Sequence, residues 1–363
     1  MSRNILIITG GTGGHMIPAI NFFNYLKNNK NEVYLLTDYR GSKYINEINE
    51  NNIFKIYSSH FSGNLYFKIK ATIKLLTGLV QSLIIFIRLK PKTIISFGSY
   101  ASSTPLVCFI LFKFFFKTSL YIHEQNSVVG KVNKIFIKFS NQIFMNFEKE
   151  YLNILKYQNK ISVVGLPQKI DTKNFKQKDK NDKSILNFLV FGGSQGSIEI
   201  LAIFEHILSR LNKISNLKEI FFTIQAPLSK QKEIESLLIK YGYKFNIQNF
   251  FNNFDDILAK TDIALCRSGA GTINDLINHK IPAIICPLPS AKDNHQYENA
   301  KILSSIKCAI IVNKNKINNN EIMLFINKLA NDKKFKKNLK ENFNKIVIRN
   351  ANELMWNFIK NEK

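Results

Sequence analysis

A strand, a glycine loop and a helix follow one another twice in this chain, and that repetition narrows the fold more than any other feature. Asn4–Thr9 is a short apolar run leading into Gly10-Gly11-Thr12-Gly13-Gly14-His15, after which Ile17–Leu26 carries helical apolar spacing. Asn187–Phe191 leads in the same way into Gly192-Gly193-Ser194-Gln195-Gly196-Ser197, and Ile198–Leu211 is again helical in pattern. Further strands are expected at Val33–Leu36, Phe54–Tyr57, Thr93–Phe97, Ser119–Ile122, Gln142–Met145 and Ile161–Val164 in the first half, and at Ile220–Ile224, Phe245–Ile247, Ile263–Leu265 and Ala283–Cys286 in the second. Strands alternating with helical segments make βαβ units, so each half reads as a doubly wound parallel sheet covered by helices on both faces. A chain of 363 residues has room for two such domains. Gly165-Leu166-Pro167, followed by the polar stretch Asp171–Lys183, marks the junction, giving domains 1–164 and 165–340. From Asn331 the lysine-rich tail carries Leu339, Phe343, Val347, Leu354 and Phe358 at mixed three-to-four spacing, which predicts one or two helices, with 341–363 as a closing element.

Charge asks for a partner. Lysine and arginine total 51 against 26 acidic residues, a formal net charge of +25. Nucleic acid, an anionic membrane and anionic small substrates all suit that charge, and an AT-rich genome would produce the same lysine, asparagine and isoleucine excess. Arginines number six (Arg3, Arg40, Arg88, Arg210, Arg267, Arg349), whereas base and bidentate phosphate recognition favour arginine, so no nucleic-acid partner is expected. Cys108, Cys266, Cys286 and Cys308 form no CxxC pair, which suggests neither a zinc ribbon nor a disulfide framework. The start of the chain lacks a signal-peptide pattern. The most apolar runs, Leu75–Ile87 and Pro105–Phe116, fall short of the ~20 residues a spanning helix needs, and neither is expected to cross a membrane.

Chemistry is concentrated at strand ends, where open α/β sheets bind ligands. A glycine loop opening a helix lets backbone amides and the helix dipole approach an anion, although turns also use glycine for positive φ without binding anything. The first loop fails the dinucleotide fingerprint, because Met16 stands where its third glycine belongs, and no P-loop, HExxH or paired-aspartate metal motif occurs. No metal or other cofactor is expected. His15 opens the first helix and is either a general base or a loop histidine bonded to backbone. His123-Glu124-Gln125-Asn126 follows a strand directly. Cys266-Arg267-Ser268-Gly269-Ala270-Gly271-Thr272 offers an anion site, with Asp275 as a carboxylate for ribose hydroxyls, and Lys292–Asn299 presents amides suited to a sugar or is a solvated helix start.

GGTGGH at Gly10–His15, HEQN at His123–Asn126, GGSQG at Gly192–Gly196 and CRSGAGT at Cys266–Thr272, in that order and spacing, resemble the MurG family. These are the UDP-N-acetylglucosamine transferases that convert lipid I, the undecaprenyl-pyrophosphoryl muramyl-pentapeptide, into lipid II for peptidoglycan. The resemblance covers Asn4 to about Trp356 and implies a GT-B fold, two Rossmann-like domains facing across a cleft with a C-terminal helix returning to the first. It implies an inverting hexosyltransferase acting on the muramyl 4-hydroxyl, with roles in cell-wall biogenesis, cell shape and cell division. Ser194 would contact the nucleotide, the backbone near Phe251 the uracil, and Ala270, Gly271, Thr272, Ile273, Asn274 and Asp275 the diphosphate and ribose. Gln296 would hold the sugar, and Thr12, Gly13, Gly14 and Asn126 would reach it from the first domain. His15 is the expected base and Glu124 a competing one.

Three positions depart from the family pattern. Asp275 replaces a glutamate, Lys169 an arginine and His295 a second glutamine, the last beside a one-residue insertion. A lipid-linked acceptor implies a peripheral place on the cytoplasmic side of the inner membrane. Leu65, Ile69, Ile73, Leu76, Leu79, Val80, Leu83 and Ile87, interleaved with Lys68, Lys70, Lys74 and Arg88, would then seat the first domain on anionic lipid, or serve as an ordinary core helix. The rival enzyme is a GT-B transferase for another nucleotide sugar or lipid acceptor; the rival outside enzymes is a basic, non-catalytic binding module.

Overall fold

Alternating residues of the first strand feed two hydrophobic layers, and the chain builds each layer with helices drawn from distant parts of the sequence. A computed structural model describes residues 4–45, 48, 50–59, 64–169, 185–193, 197–211, 219–313 and 317–361. The chain divides into two units, Met1–Thr172 with Arg349–Lys363, and Lys173–Ile348. Both divisions fall later than 164 and 340; position 341 lies inside a helix, Lys333–Phe343.

Unit 1 holds seven parallel strands: β1 (Ile5–Ile8), β2 (Val33–Asp38), β3 (Ile53–Ile56), β4 (Thr93–Ser96), β5 (Ser119–Glu124), β6 (Gln142–Met145) and β7 (Ile161–Val163), in the spatial order β3-β2-β1-β4-β5-β6-β7. The register pairs Ile5 with both Val33 and Thr93. Order reverses at β1/β4, the switch point at which such sheets open a crevice. Ile5 and Ile7 pack with Met16, Phe22 and Leu26 of α1 (Gly13–Asn28). Leu6 and Ile8 face the other way, toward Ile85, Phe86 and Leu89 of α2 (Leu65–Leu89) and Leu106, Phe109 and Phe112 of α3 (Ser103–Lys113). A short α4 (Lys131–Phe136) follows β5.

The α1 face is completed by α12 (Ala351–Asn361), whose Met355 and Ile359 are fully buried against it. Asn352 Nδ2 donates to the Gln168 carbonyl at 2.8 Å, and Arg349 pairs with Glu148 at 2.7 Å. Of the tail residues expected to be apolar contacts, Leu339 and Phe343 are buried, while Val347 and Phe358 are exposed. The reason is that the tail forms two helices belonging to different units, so no single apolar stripe runs through it.

Unit 2 repeats the pattern with six parallel strands: β8 (Ile185–Phe191), β9 (Glu219–Gln225), β10 (Lys244–Gln248), β11 (Ile263–Cys266), β12 (Ala283–Ile285) and β13 (Ala309–Ile311), ordered β10-β9-β8-β11-β12-β13. Its helices are α5 (Ile198–Leu211), α6 (Leu228–Lys240), α7 (Phe254–Lys260), α8 (Ala270–His279), α9 (His295–Ser304), α10 (Asn319–Asn331) and α11 (Lys333–Phe343). The edge strand β13 is absent from the sequence reading.

By length and composition alone α2, at 25 residues, is long and apolar enough to cross a membrane, because the helix extends past the charge-free run Leu75–Ile87 at both ends. One face of it is committed to unit 1. A Cβ at Gly78 would stand 2.0 Å from the Tyr57 carbonyl oxygen, so only glycine lets the helix lie this close. Phe86 meets Phe112 of α3 edge-on at 5.4 Å. The opposite face, with Leu65, Ile69, Ile73, Leu76, Val80, Leu83 and Ile87, is exposed, and Leu79 is partly buried. Phe114 and Phe115, in the turn after α3, are 84% and 82% exposed.

Candidate active site

In unit 1 the Gly10–His15 loop is held by a buried carboxylate at the end of β2. Asp38 accepts the Gly11 amide at 2.9 Å, the Gly41 amide at 3.0 Å, the Ser58 hydroxyl at 2.9 Å and Arg40 Nε at 2.7 Å. Burial raises its pKa, but the Gly11 amide and the Arg40 guanidinium outweigh burial and hold the carboxyl below its ordinary value. A side chain at Gly10 would collide with Ala101 at 2.4 Å and Asp38 at 2.8 Å, and Gly11 has φ +80°, so this turn requires both glycines. Read from the sequence alone this strand is Val33–Leu36, whereas it runs on to Asp38; the carboxylate's position at a strand end beside the glycine loop was the available signal.

Beyond the turn, Thr12 caps α1 without a side-chain hydrogen bond, and the helix has no acidic residue in its first turn. Thr12 and Gly14 are exposed, Gly13 is buried and His15 is half-buried. His15 Nδ1 lies 2.8 Å from the Phe97 carbonyl oxygen. A carbonyl can only accept, so Nδ1 carries the proton and the neutral ring keeps its lone pair on Nε2.

The HEQN residues sit in the same unit and are largely spent on structure. His123 is fully buried, with Nε2 2.9 Å from the Gly165 carbonyl; burial, helped by nearby His15, pushes its pKa down to about 4. Glu124 is 1% exposed and accepts the Asn126 amide at 3.0 Å, the Gly130 amide at 2.8 Å and Asn133 Nδ2 at 2.9 Å. Both of its oxygens therefore hold the loop between β5 and α4, an arrangement suited to an anchor. Asn126 is half-buried and Lys169 is exposed. Nothing in the sequence pattern singled out Asn133.

In unit 2, Gly192 donates its amide to Gln225 Oε1 at 3.3 Å, and Gly193 has φ +85°. Ser194, the expected nucleotide contact, lies outside the described residues. Gly269 caps α8 with no acidic residue in its first turn, a Cβ at Gly271 would meet open space, and Ser268 Oγ is buried without a partner. These features leave the backbone accessible at the start of the helix. Ala270 and Ile273 are buried, so their side chains face the core and only their backbone can serve a ligand; Thr272, Asn274 and Asp275 are half-buried, and Asn274 Nδ2 bonds back to the Ala270 carbonyl at 2.9 Å. Burial, and then the neighbouring Asp255, push the Asp275 carboxyl up to about 8.

Arg267 is a different matter from the anion ligand that its motif suggested. Its guanidinium is buried and donates to the Cys286 carbonyl at 3.0 Å, the Pro287 carbonyl at 3.3 Å, Ser197 Oγ at 3.1 Å and the Glu199 carboxylate. It ties the end of β12 to the start of α5. Gln296 Oε1 accepts the Leu288 amide at 2.9 Å, and Asn299 Nδ2 donates to the Ser268 carbonyl at 3.0 Å, joining α9 to the loop ahead of α8. Phe251 is buried and stacked on Phe254 at 6.0 Å, which leaves its backbone as the part able to read a base. Among the described residues, no group of three or more His, Cys, Asp or Glu is placed to hold a metal ion.

Comparison with known proteins bears on these two sets of strand ends. Residues 5–145 match the glycosyltransferase family 28 N-terminal domain, and residues 187–354 match the glycosyltransferase family 28 C-terminal domain. A UDP-N-acetylglucosamine--N-acetylmuramyl-(pentapeptide) pyrophosphoryl-undecaprenol N-acetylglucosamine transferase of Rickettsia bellii is 31% identical over 347 residues, 94% of each chain. The transferase of the same description from Rickettsia canadensis is 33% identical over 87% of each chain. Among solved structures, Acinetobacter baumannii MurG superposes with a TM-score of 0.79 over 99% of both chains at 21% identity, a likeness of fold.

Proposed function

The chain belongs to glycosyltransferase family 28 and, within it, to the MurG family with its GT-B fold, and on that premise we propose how it converts lipid I into lipid II. The enzyme is a UDP-N-acetylglucosamine-dependent hexosyltransferase of peptidoglycan synthesis. The acceptor's muramyl 4-hydroxyl attacks the anomeric carbon from the face opposite UDP, which inverts the configuration and leaves a β-1,4 bond. His15 Nε2 takes the hydroxyl proton as the bond forms. Negative charge gathers on the departing diphosphate, where amides at the start of α8 and the α8 dipole stabilise it. In this reading Ser194, Phe251, Thr272 and Asp275 hold the nucleotide, Gln296 the sugar, and Thr12, Gly13, Gly14 and Asn126 the reacting end of the substrates. Glu124 serves by shaping the Asn126 loop, and Lys169 offers an exposed positive charge to phosphate.

One observation carries the choice of base: the Phe97 carbonyl occupies the Nδ1 side of His15, so the half-buried ring offers an acceptor and not a donor on its other nitrogen. The exposed apolar face of α2, flanked by exposed Lys68, Lys70, Lys74 and Arg88, together with the Phe114–Phe116 turn between Lys113 and Lys117, supports seating unit 1 on an anionic bilayer, peripherally and on the cytoplasmic side of the inner membrane. The reaction is tested by UDP release from UDP-N-acetylglucosamine with and without a short-chain lipid I analogue. Acceptor-dependent release with addition of one N-acetylhexosamine to the acceptor is the expected result. No transfer, despite binding of the UDP-sugar, would overturn the acceptor assignment.

A further inference from the structure

The Phe97 carbonyl leaves the β4 ladder and accepts two side chains at once, His15 Nδ1 at 2.8 Å and Gln125 Nε2 at 2.9 Å. A carbonyl oxygen has two lone pairs, so both are in use. The two residues that follow have positive φ, Gly98 at +79° and Ser99 at +77° with ψ 160°, and the second is a region occupied almost solely by glycine. Such strain persists where surrounding bonds impose it. Here Ser96 Oγ accepts the Gly98 amide at 3.2 Å, the Ser102 hydroxyl donates to the Gly98 carbonyl, and the Ser102 amide donates to the Ser99 carbonyl at 3.2 Å.

Gln125 contributes at a cost to itself. It is 1% exposed, and its Oε1 is buried with no hydrogen-bond partner, while Nε2 also lies 3.3 Å from the His123 carbonyl. An amide kept in the interior with its oxygen unused needs a reason, and its shortest contact, closer than His123 Nδ1 at 3.4 Å, is the carbonyl that holds His15. Glycine at 98 puts no Cβ in the way of a flip of the Phe97–Gly98 peptide, which is therefore held by its bonds, the amide on Ser96 Oγ and the oxygen on His15 and Gln125. A flipped peptide would turn its oxygen away from His15, and with it the bond that keeps the proton on Nδ1 and the lone pair on Nε2.

We propose that the strained Phe97-Gly98-Ser99 turn is a backbone mount for the His15 ring, and that Gln125 is a positioning residue that holds its carbonyl in place and so selects the tautomer able to accept a proton. This rests on the reading of His15 as the base and adds the element that makes the base competent.

The test uses the full chain with 15N-labelled histidine, the His15 signals being assigned by their loss in H15A. Wild-type protein is expected to show His15 protonated on Nδ1 when the ring is neutral. Gln125→Met, similar in shape and without the donor, is expected to shift that signature toward the Nε2-protonated form and to lower kcat at least tenfold, with KM for UDP-N-acetylglucosamine within about twofold of wild type. Wild-type protein protonated on Nε2 would overturn the proposal with no variant needed. So would an unchanged His15 signature or an unchanged kcat in Q125M. Wild-type turnover in H15A would remove the reading of the base instead, which separates the two failures.

Discussion

Glu124→Gln separates an anchoring carboxylate from a catalytic one. In the wild type, Oε2 accepts the Gly130 amide at 2.8 Å and Asn133 Nδ2 at 2.9 Å, and Oε1 accepts the Asn126 amide at 3.0 Å. Glutamine has one oxygen. Placed toward Gly130 and Asn133 it keeps two bonds, but its NH2 then confronts the Asn126 amide and leaves a buried N–H unpaired, which costs about 1–3 kcal/mol. The two retained bonds lose the assistance of a charged acceptor, roughly another 1 kcal/mol. The sum, about 2–4 kcal/mol, corresponds to a melting temperature lower by about 4–16 °C for a domain of this size. Calorimetry of the full chain measures that shift, and hydrogen exchange at the Asn126 and Gly130 amides, expected to speed up, locates it. A variant with wild-type melting and wild-type exchange, but turnover reduced more than about 100-fold, would refute the anchor and make the carboxylate a participant in the chemistry.

Three other perturbations follow from the geometry. His15→Ala at saturating substrates should lose about 10²- to 10⁴-fold in turnover while still binding UDP-N-acetylglucosamine, measured by steady-state kinetics and calorimetry. For Asp275, a carboxyl raised from 3.8 to about 8 favours the protonated folded state, so its contribution is fully present at low pH and is lost as pH rises between those values. Asp275→Asn should flatten that decline, making the variant more stable than wild type at pH 9 in urea unfolding, while raising KM for the UDP-sugar. Replacing Phe114 and Phe115 with serine removes two exposed rings, each contributing about 1.5–3 kcal/mol if fully buried in lipid. Binding to anionic vesicles should weaken at least tenfold, with turnover of a water-soluble acceptor unchanged.

Regular patterns made most of the architecture legible. Apolar runs located the central strands, because a strand buried on both faces has to be apolar throughout, while β10, exposed at Lys244, Asn246 and Gln248, was marked by Phe245 and Ile247 alone. The missing strand, β13, spans Ala309–Ile311, as short as β12, but Cys308 and Val312 flank it where Pro282 and Pro287 bracket β12, so nothing set it apart from the helix before it. The exposed stripe of α2 could not be told from a core stripe, since periodicity marks the faces of a helix without saying which one meets the sheet; the small residues Ala71, Gly78 and Ser82 on the buried side carried that information. At the site, His15 and the HEQN run were legible from their place at strand ends. Their division of labour was not. The bonds of Glu124 to Gly130 and Asn133, and the spending of Arg267 on Glu199 and the Cys286 carbonyl, depend on side-chain directions across loops, and spacing along the chain does not encode them.

The placement of α12 sets an order of events during synthesis. The sheet of unit 1 is complete once β7 ends at Val163, yet the helix that covers part of its α1 face begins at Ala351. At roughly 5–20 residues per second the ribosome needs on the order of 10–40 s to make the chain between them. For that interval a nascent unit 1 presents the apolar seat of Met355 and Ile359 to water, and unit 2 has time to fold before the gap is filled. A chain cut short after unit 2 would keep that seat open, and quality-control proteases would meet it as a binding surface in an otherwise finished domain.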